Sequence, residues 1–264
     1  MNIDLSGRTA LVTGSTSGIG YSTAETLARA GATVIVNGRD DQRVKSAVER
    51  LAESTGSSSV RGAAADIGTE EGANALLAAE PDVDILVNNA GIFAPAGVFE
   101  IPDAEWLRFF EVNVLSGIRL ARHYTPRMVE RGWGRVIFVS SESSIQVPTE
   151  MVHYGMTKTA QLAVSRGMAQ SVAGTGVTVN SVLPGPTLTP GVEEFIRSLN
   201  GADVPFEEAE RQFMAKDRPT SLLGRLIRPQ EVANLITYVA SDLASATTGG
   251  ALRVDGGVAN SLIP

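Results

Sequence analysis

Short, nearly uninterrupted apolar and β-branched runs recur along the chain at 9–13, 33–36, 83–87, 136–139 and 177–182, with weaker ones near Val60 and Leu252. Runs this brief, with no polar alternation, predict strands covered on both faces. Between them, apolar residues fall at helical spacing over 19–30, 41–53, 69–79, 103–130, 153–173 and 229–240. Strand and helix alternate throughout, which predicts an α/β fold built on a doubly wound parallel sheet. Thr69 ahead of Glu70 and Glu71 reads as a helix cap, and Pro229 as a first-turn residue.

No Ser/Gly/Pro-rich linker divides the chain and no repeat of fixed period appears, so residues 1–264 are expected to form one domain. The departure from the alternation is 187–226. There two short helical pieces, 192–199 and 206–216, are separated by Asn200-Gly201 and Pro205. An insertion that follows a strand's carboxyl end is placed to act as a substrate lid.

Composition narrows the chemistry. The 264 residues contain no Cys and two His, His123 and His153, which excludes disulfides and thiolate metal sites and argues against any metal centre. Lys and Arg number 22 against 29 Asp and Glu, and a formal charge of −7 does not suit a phosphate-backbone partner, so no nucleic acid is expected. The most apolar helical stretch, 232–240, is interrupted by Asn234, Thr237 and Tyr238 and is too short to span a bilayer. Residues 1–14 show neither a basic region nor a cleavage signature, so a cytoplasmic location without membrane association is expected.

Gly14-Ser15-Thr16-Ser17-Gly18-Ile19-Gly20 follows the first strand and opens the first helix. In such a turn the first glycine permits the tight bend, the second lets backbone approach a pyrophosphate, and the third allows helix and strand to pack closely; the helix N–H groups face the anion. The second strand is followed by Asn37-Gly38-Arg39-Asp40. A ribose-binding acid is expected at the position occupied by Gly38, and a missing acid beside Arg39 favours a 2′-phosphate, hence NADP(H), with NAD(H) left open. A plainer reading makes Arg39 a solvated charge and Asp40 the cap of the next helix.

Tyr154 and Lys158 lie four apart at the start of a long helical segment, so their side chains share a face. A phenol of pKa near ~10 is a poor base at neutral pH, and a neighbouring ammonium is expected to lower it into a useful range. Ser141 stands thirteen residues before Tyr154 within Ser140-Ser141-Glu142-Ser143-Ser144. It is preferred to Ser140 on that interval, as the hydroxyl that orients a reacting oxygen. Glu142 is expected to point to solvent, with recognition of a polar or cationic substrate group as the alternative. His153 is given no role. Each of these residues also has an ordinary reading as part of an amphipathic helix or a polar loop.

Taken together, the 13–20 loop, Asn88-Asn89-Ala90-Gly91, Asn113, Ser141, Tyr154-Gly155-Met156-Thr157-Lys158, Pro184-Gly185 and Val254-Asp255-Gly256-Gly257 resemble, in order and spacing, the short-chain dehydrogenase/reductase family in its compact single-domain branch. The resemblance covers essentially the whole chain. It implies a seven-stranded Rossmann-type sheet and a nicotinamide cofactor. It places Asp66 at the adenine, with Ile67 beside it, and lines the middle of the cofactor with Asn89, Ala90 and Gly91. Pro184, Gly185, Thr187 and Thr189 would serve the nicotinamide end or the pyrophosphate; Thr187 stands where Ile or Val is usual. Lys158 would also hold the nicotinamide ribose, and Asn113 a water that connects Lys158 to solvent.

The expected reaction is hydride transfer between NADP(H) and a small-molecule carbonyl or secondary alcohol, with Tyr154 as acid/base. The alternatives are an NAD-linked dehydrogenase of the same family and a non-enzymatic nucleotide sensor on the same fold. The pattern is similar to 3-oxoacyl-carrier-protein reductases, for which Arg119, Arg122, Arg127 and Arg131 would be a docking patch. Phe93, Ile145, Val147, Met151, Phe195, Phe206 and Phe213 suggest an apolar substrate pocket, although core packing is their commoner use. The resemblance further implies a homotetramer packed through the helices at 103–130 and 153–173. Leu262 and Ile263 in the apolar tail would prefer burial.

Overall fold

A computed structural model describes residues 2–200 and 204–262. Seven strands, β1 (Thr9–Val12), β2 (Thr33–Gly38), β3 (Val60–Ala64), β4 (Ile85–Asn88), β5 (Gly134–Val139), β6 (Val177–Pro184) and β7 (Ala251–Val254), form one sheet of order β3-β2-β1-β4-β5-β6-β7. Every neighbouring pair is parallel. Each apolar run read from the sequence is a strand, including the weak ones near Val60 and Leu252.

The helices are α1 (Gly18–Arg29), α2 (Asp41–Thr55), α3 (Glu70–Ala79), α4 (Asp103–Phe110), α5 (Ser116–Glu130), α6 (Val152–Ser171), α7 (Pro190–Asn200), α8 (Phe206–Asp217) and α9 (Pro229–Val239). Alternate strand residues feed two cores. Ala10, Val12, Val34 and Val36 pack with Leu27 of α1, Leu51 of α2 and Ile236 of α9 on one face. Leu11, Ile35 and Leu86 pack with Leu76 of α3 and Leu120, Tyr124 and Met128 of α5 on the other. Burying a side chain such as Leu or Ile contributes about 1.5–3 kcal/mol, so a strand with no polar face follows from covering both sides. Thr69 caps α3, accepting from the Gly72 N–H at 3.0 Å, and Pro229 is the first residue of α9.

The single helix expected over 103–130 is interrupted. Residues Glu111–Leu115 form a π turn between α4 and α5, and Asn113 lies within it. Its side chain is clamped to the neighbouring loop, accepting from Ile92 N–H at 2.7 Å and donating to Ile92 C=O at 3.0 Å, while its own C=O accepts from Gln161 at 2.6 Å. The wider turn leaves Asn113 buried between Ile92 and Gln161.

Two helices, α7 and α8, lie between β6 and α9. Ile196 of α7 and Ala209, Phe213 and Met214 of α8 pack with Leu226 into a small core separate from the two sheet faces. The break read at Asn200-Gly201 falls partly on Gly201, outside the described residues. No helix among the described residues is long and apolar enough to cross a membrane.

Candidate active site

The sheet order reverses direction between β1 and β4, and ligands of open α/β sheets bind outside the carboxyl ends of the strands at such a point. The two loops that leave β1 and β4 are tied together there. Asn89 donates to the carbonyls of Thr13 and Gly14 at 2.9 and 3.1 Å, and the Asn89 and Ala90 N–H groups donate to Thr13 Oγ1 at 2.9 and 3.0 Å. Gly14 and Gly18 have φ of 61° and 58°, the left-handed region that favours glycine. A Cβ on Gly20 would lie 2.4 Å from Gly14 O, so only glycine lets α1 pack this close to the loop.

Ser15 is buried; its Oγ donates to Val12 C=O at 2.6 Å and accepts from Asn37 N–H at 3.1 Å, fixing the loop on β2. Ser17 precedes α1 and makes no side-chain cap, which leaves the first N–H groups of α1 facing the loop. Ser17, Gly18, Ile19 and Gly20 open onto a cleft of about 320 Å³, across which lie Asn89 and Gly91. This glycine-lined turn on an uncapped helix end fits a dinucleotide pyrophosphate.

At the far end of the loop a Cβ on Gly38 would meet Thr16 Cγ2 at 2.8 Å, so an acidic side chain does not fit there without displacing Thr16. Arg39 is exposed next to it, and Asp40 caps α2, accepting from Arg43 N–H at 2.8 Å. The sequence reading missed Arg50, which donates to Thr16 C=O at 3.1 Å and lies 5.0 Å from the Tyr21 ring centroid. Asp66 is exposed after β3, its carboxylate accepting from Gly68 N–H at 3.1 Å; Ile67 is buried behind it.

The other end of the cleft gathers Ser141, Tyr154 and Lys158 with Pro184, Gly185 and Thr187, while Thr189 lies against the glycine turn, its Cγ2 3.0 Å from where a Cβ on Gly18 would stand. The Thr187 hydroxyl is spent on Gly185 C=O at 2.8 Å. Ser140 is turned away, donating to Lys158 C=O at 2.9 Å, which leaves Ser141 as the serine hydroxyl beside the phenol. Lys158 Nζ donates to Val139 C=O at 2.9 Å, lies 3.4 Å from Gln161 Oε1 and stands 5.6 Å from the Tyr154 ring centroid. Gln161, one turn beyond Lys158 on α6, joins the ammonium to the Asn113 carbonyl. Asn113 itself lies behind the cleft wall, bonded to Ile92 and Thr157.

The electrostatics reverse one expectation. The Tyr154 phenol is pushed above its ordinary value, first by burial and then by the negative charge of Glu142; Ser141 and Arg218 oppose the shift. Lys158 is pulled down to about 8 by burial, with Glu142 opposing. The ammonium is held by carbonyl oxygens, and desolvation outweighs it at the phenol.

Glu142, expected at the surface, is 5% exposed and accepts from Ser141 Oγ at 2.5 Å. Burial raises its pKa, against the pull of Ser141 and Arg218. Arg218, which sequence reasoning did not single out, follows α8 and bonds Glu150 at 3.2 Å. Of the apolar candidates, Phe93, Met151, Phe195 and Phe213 line the cleft, with ring centroids of Phe93–Tyr154, Phe93–Phe195 and Phe195–Phe213 6.3, 6.3 and 6.1 Å apart. Val147 is exposed, Phe206 packs against the α7–α8 core, and Ile145 lies outside the lining.

A family model described as enoyl-(acyl carrier protein) reductase matches residues 14–259. The chain is 52% identical over 263 residues to Bacillus subtilis "uncharacterized oxidoreductase YvaG", covering 99% of this chain and all of that one. It is 33% identical to the D-beta-hydroxybutyrate dehydrogenase of Cupriavidus necator, covering 96% and 98% of the two chains. The crystal structure of L-sorbose reductase from Gluconobacter frateurii, complexed with NADPH and L-sorbose, superposes with a TM-score of 0.93 at 31% identity over 99% of this chain and all of that one. The chain belongs to the short-chain dehydrogenase/reductase family. Within it, the protein is an NAD(P)-dependent oxidoreductase.

Proposed function

We propose that the protein transfers hydride between NADP(H) and a small carbonyl or secondary alcohol, with Tyr154 as the acid/base. The observation that carries this reading is the single cleft that runs from the glycine turn to Ser141, Tyr154 and Lys158 at the sheet's switch point. When bound, the nicotinamide supplies or takes up the hydride. In reduction the raised pKa keeps Tyr154 protonated, so its O–H is available to give a proton to the carbonyl oxygen as that oxygen gains charge. Ser141 holds the same oxygen, its O–H turning from Glu142 Oε2 to the substrate. Lys158 stabilises the phenolate left behind, and Gln161 with Asn113 fixes Lys158 from behind.

Preference for NADP(H) is supported by Gly38, by exposed Arg39 and by Arg50 at Thr16, and a similar solved protein holds NADPH. In a fluorescence titration, NADPH is expected to bind at least about tenfold more tightly than NADH, a 2′-phosphate contact being worth more than 1.4 kcal/mol. Arg39→Ala is expected to remove most of that difference. Equal binding of both cofactors would contradict the NADP(H) assignment and favour NAD(H).

The reading also includes one catalytic domain over 1–264 with 187–226 as its lid, a homotetramer, and a cytoplasmic location. The carrier-protein substrate finds less support. Arg119 pairs with Glu111, and Arg127 and Arg131 share Asp82, so three of the four arginines are already engaged.

A further inference from the structure

Two charged side chains in the cleft wall neither give nor take the hydride or the proton. Glu142 Oε2 accepts from Ser141 Oγ, while Oε1 faces Arg218 Nε across 3.8 Å. That gap is longer than a hydrogen bond. Arg218 is 9% exposed and is held from behind, its Nη1 donating to Asp217 C=O at 2.6 Å and to Glu150 at 3.2 Å. The Phe213 ring lies 5.5 Å from its guanidinium. A buried ion pair is a poor source of stability, and one left just out of contact is poorer still. A hydroxyl oxygen placed across the gap, at about 2.8 Å from each atom, would donate to the carboxylate and accept from the guanidinium.

We propose that Glu142 and Arg218 recognise a hydroxyl on the carbon next to the reacting carbonyl, so that the substrate is an α-hydroxy ketone and the product a vicinal diol. The proposal rests on the reductase reading above. Ser141 holds the carbonyl oxygen in that reading, and Glu142 is its chain neighbour, with a carboxylate oxygen that stands within hydrogen-bond reach of Ser141 Oγ. The next polar group along the substrate therefore falls at Glu142. The alternative anchor, a substrate carboxylate, would meet two carboxylates, Glu142 and Glu150, against the one guanidinium of Arg218. Phe93, Phe195 and Phe213 offer only ring faces and edges to the rest of the substrate. In the reaction a hydride from the reduced nicotinamide adds to the carbonyl carbon as the C=O π bond opens. The oxygen takes the Tyr154 proton, and the adjacent hydroxyl is unchanged.

The test compares hydroxyacetone, its near-isostere butan-2-one and pyruvate, each with NADPH, as kcat/KM. A site built to bond a hydroxyl rejects the analogue lacking it, so hydroxyacetone is expected to exceed butan-2-one on the order of 100-fold or more. In Glu142→Ala and Arg218→Ala that ratio is expected to fall at least about tenfold, with Arg218→Lys keeping part of it. A merely structural role would lower both ketones together and leave the ratio unmoved. NADPH binding by each variant confirms that it folds. A native ratio near one, a preference for pyruvate, or a ratio unchanged in both alanine variants would overturn the proposal while leaving the reductase reading intact. No reduction of any of the three by a protein that binds NADPH would overturn the proposal, whereas a native protein that binds neither NADPH nor NADH would overturn the reductase reading.

Discussion

Burial moves Tyr154 and Lys158 in opposite directions, the phenol up and the ammonium down to about 8, because desolvation penalises whichever form is charged. Glu142 bears on both. Its negative charge disfavours phenolate and favours ammonium, so it helps both groups to keep their protons. Replacing it with Gln is therefore expected to move the alkaline limb of kcat/KM for reduction to lower pH, read from a pH–rate profile of the native protein and Glu142→Gln. An unmoved limb would mean that Glu142 carries no charge over that range. The spacing of Ser141, Tyr154 and Lys158 was legible because it is local: four residues on one helix and a fixed interval to a loop. The burial of Glu142, the reach of Arg218 and Arg50 and the bridge through Gln161 were not, since each depends on elements far apart in the sequence.

The same contrast holds for the elements. Strands buried on both faces and capped helices carry their signals within a few residues, and β1 to β7 lie where the apolar runs placed them. The π turn at Glu111–Leu115 leaves the apolar periodicity of α4 and α5 intact, so pattern alone reads one helix. What sets it apart is the clamp between Asn113 and Ile92, a tertiary contact. α4 also presents Leu107 to solvent, 70% exposed, on one of the segments expected to pack subunits together. The proposed assembly predicts sedimentation of the native protein at four times the 27.7 kDa chain mass, with Leu107→Glu shifting it to smaller species. A native monomer would contradict the tetramer. Leu262 is likewise exposed in the single chain, and Ile263 lies outside the described residues.

At the scale of the molecule, the alternation of strands and helices was enough to anticipate a doubly wound parallel sheet, and the sheet's order puts β1 beside β4. That neighbourhood brings the glycine turn, Asn89 and the Ser141–Tyr154–Lys158 group to one edge. The α7–α8 segment supplies the remaining wall through Phe195, Phe213 and Arg218; its helices were legible and the cleft-facing role of Arg218 was not. In the proposed reaction hydride moves across this cleft while Tyr154 supplies the proton. To test this, the protein is incubated with NADPH carrying two deuterons at C4 and with hydroxyacetone, and the label is located by mass spectrometry, with Tyr154→Phe alongside. Deuterium is expected on the new carbinol carbon with the native protein, and turnover is expected to fall by about 10² or more in Tyr154→Phe with NADPH binding retained. A diol without deuterium, or a phenylalanine variant as active as the native protein, would contradict it.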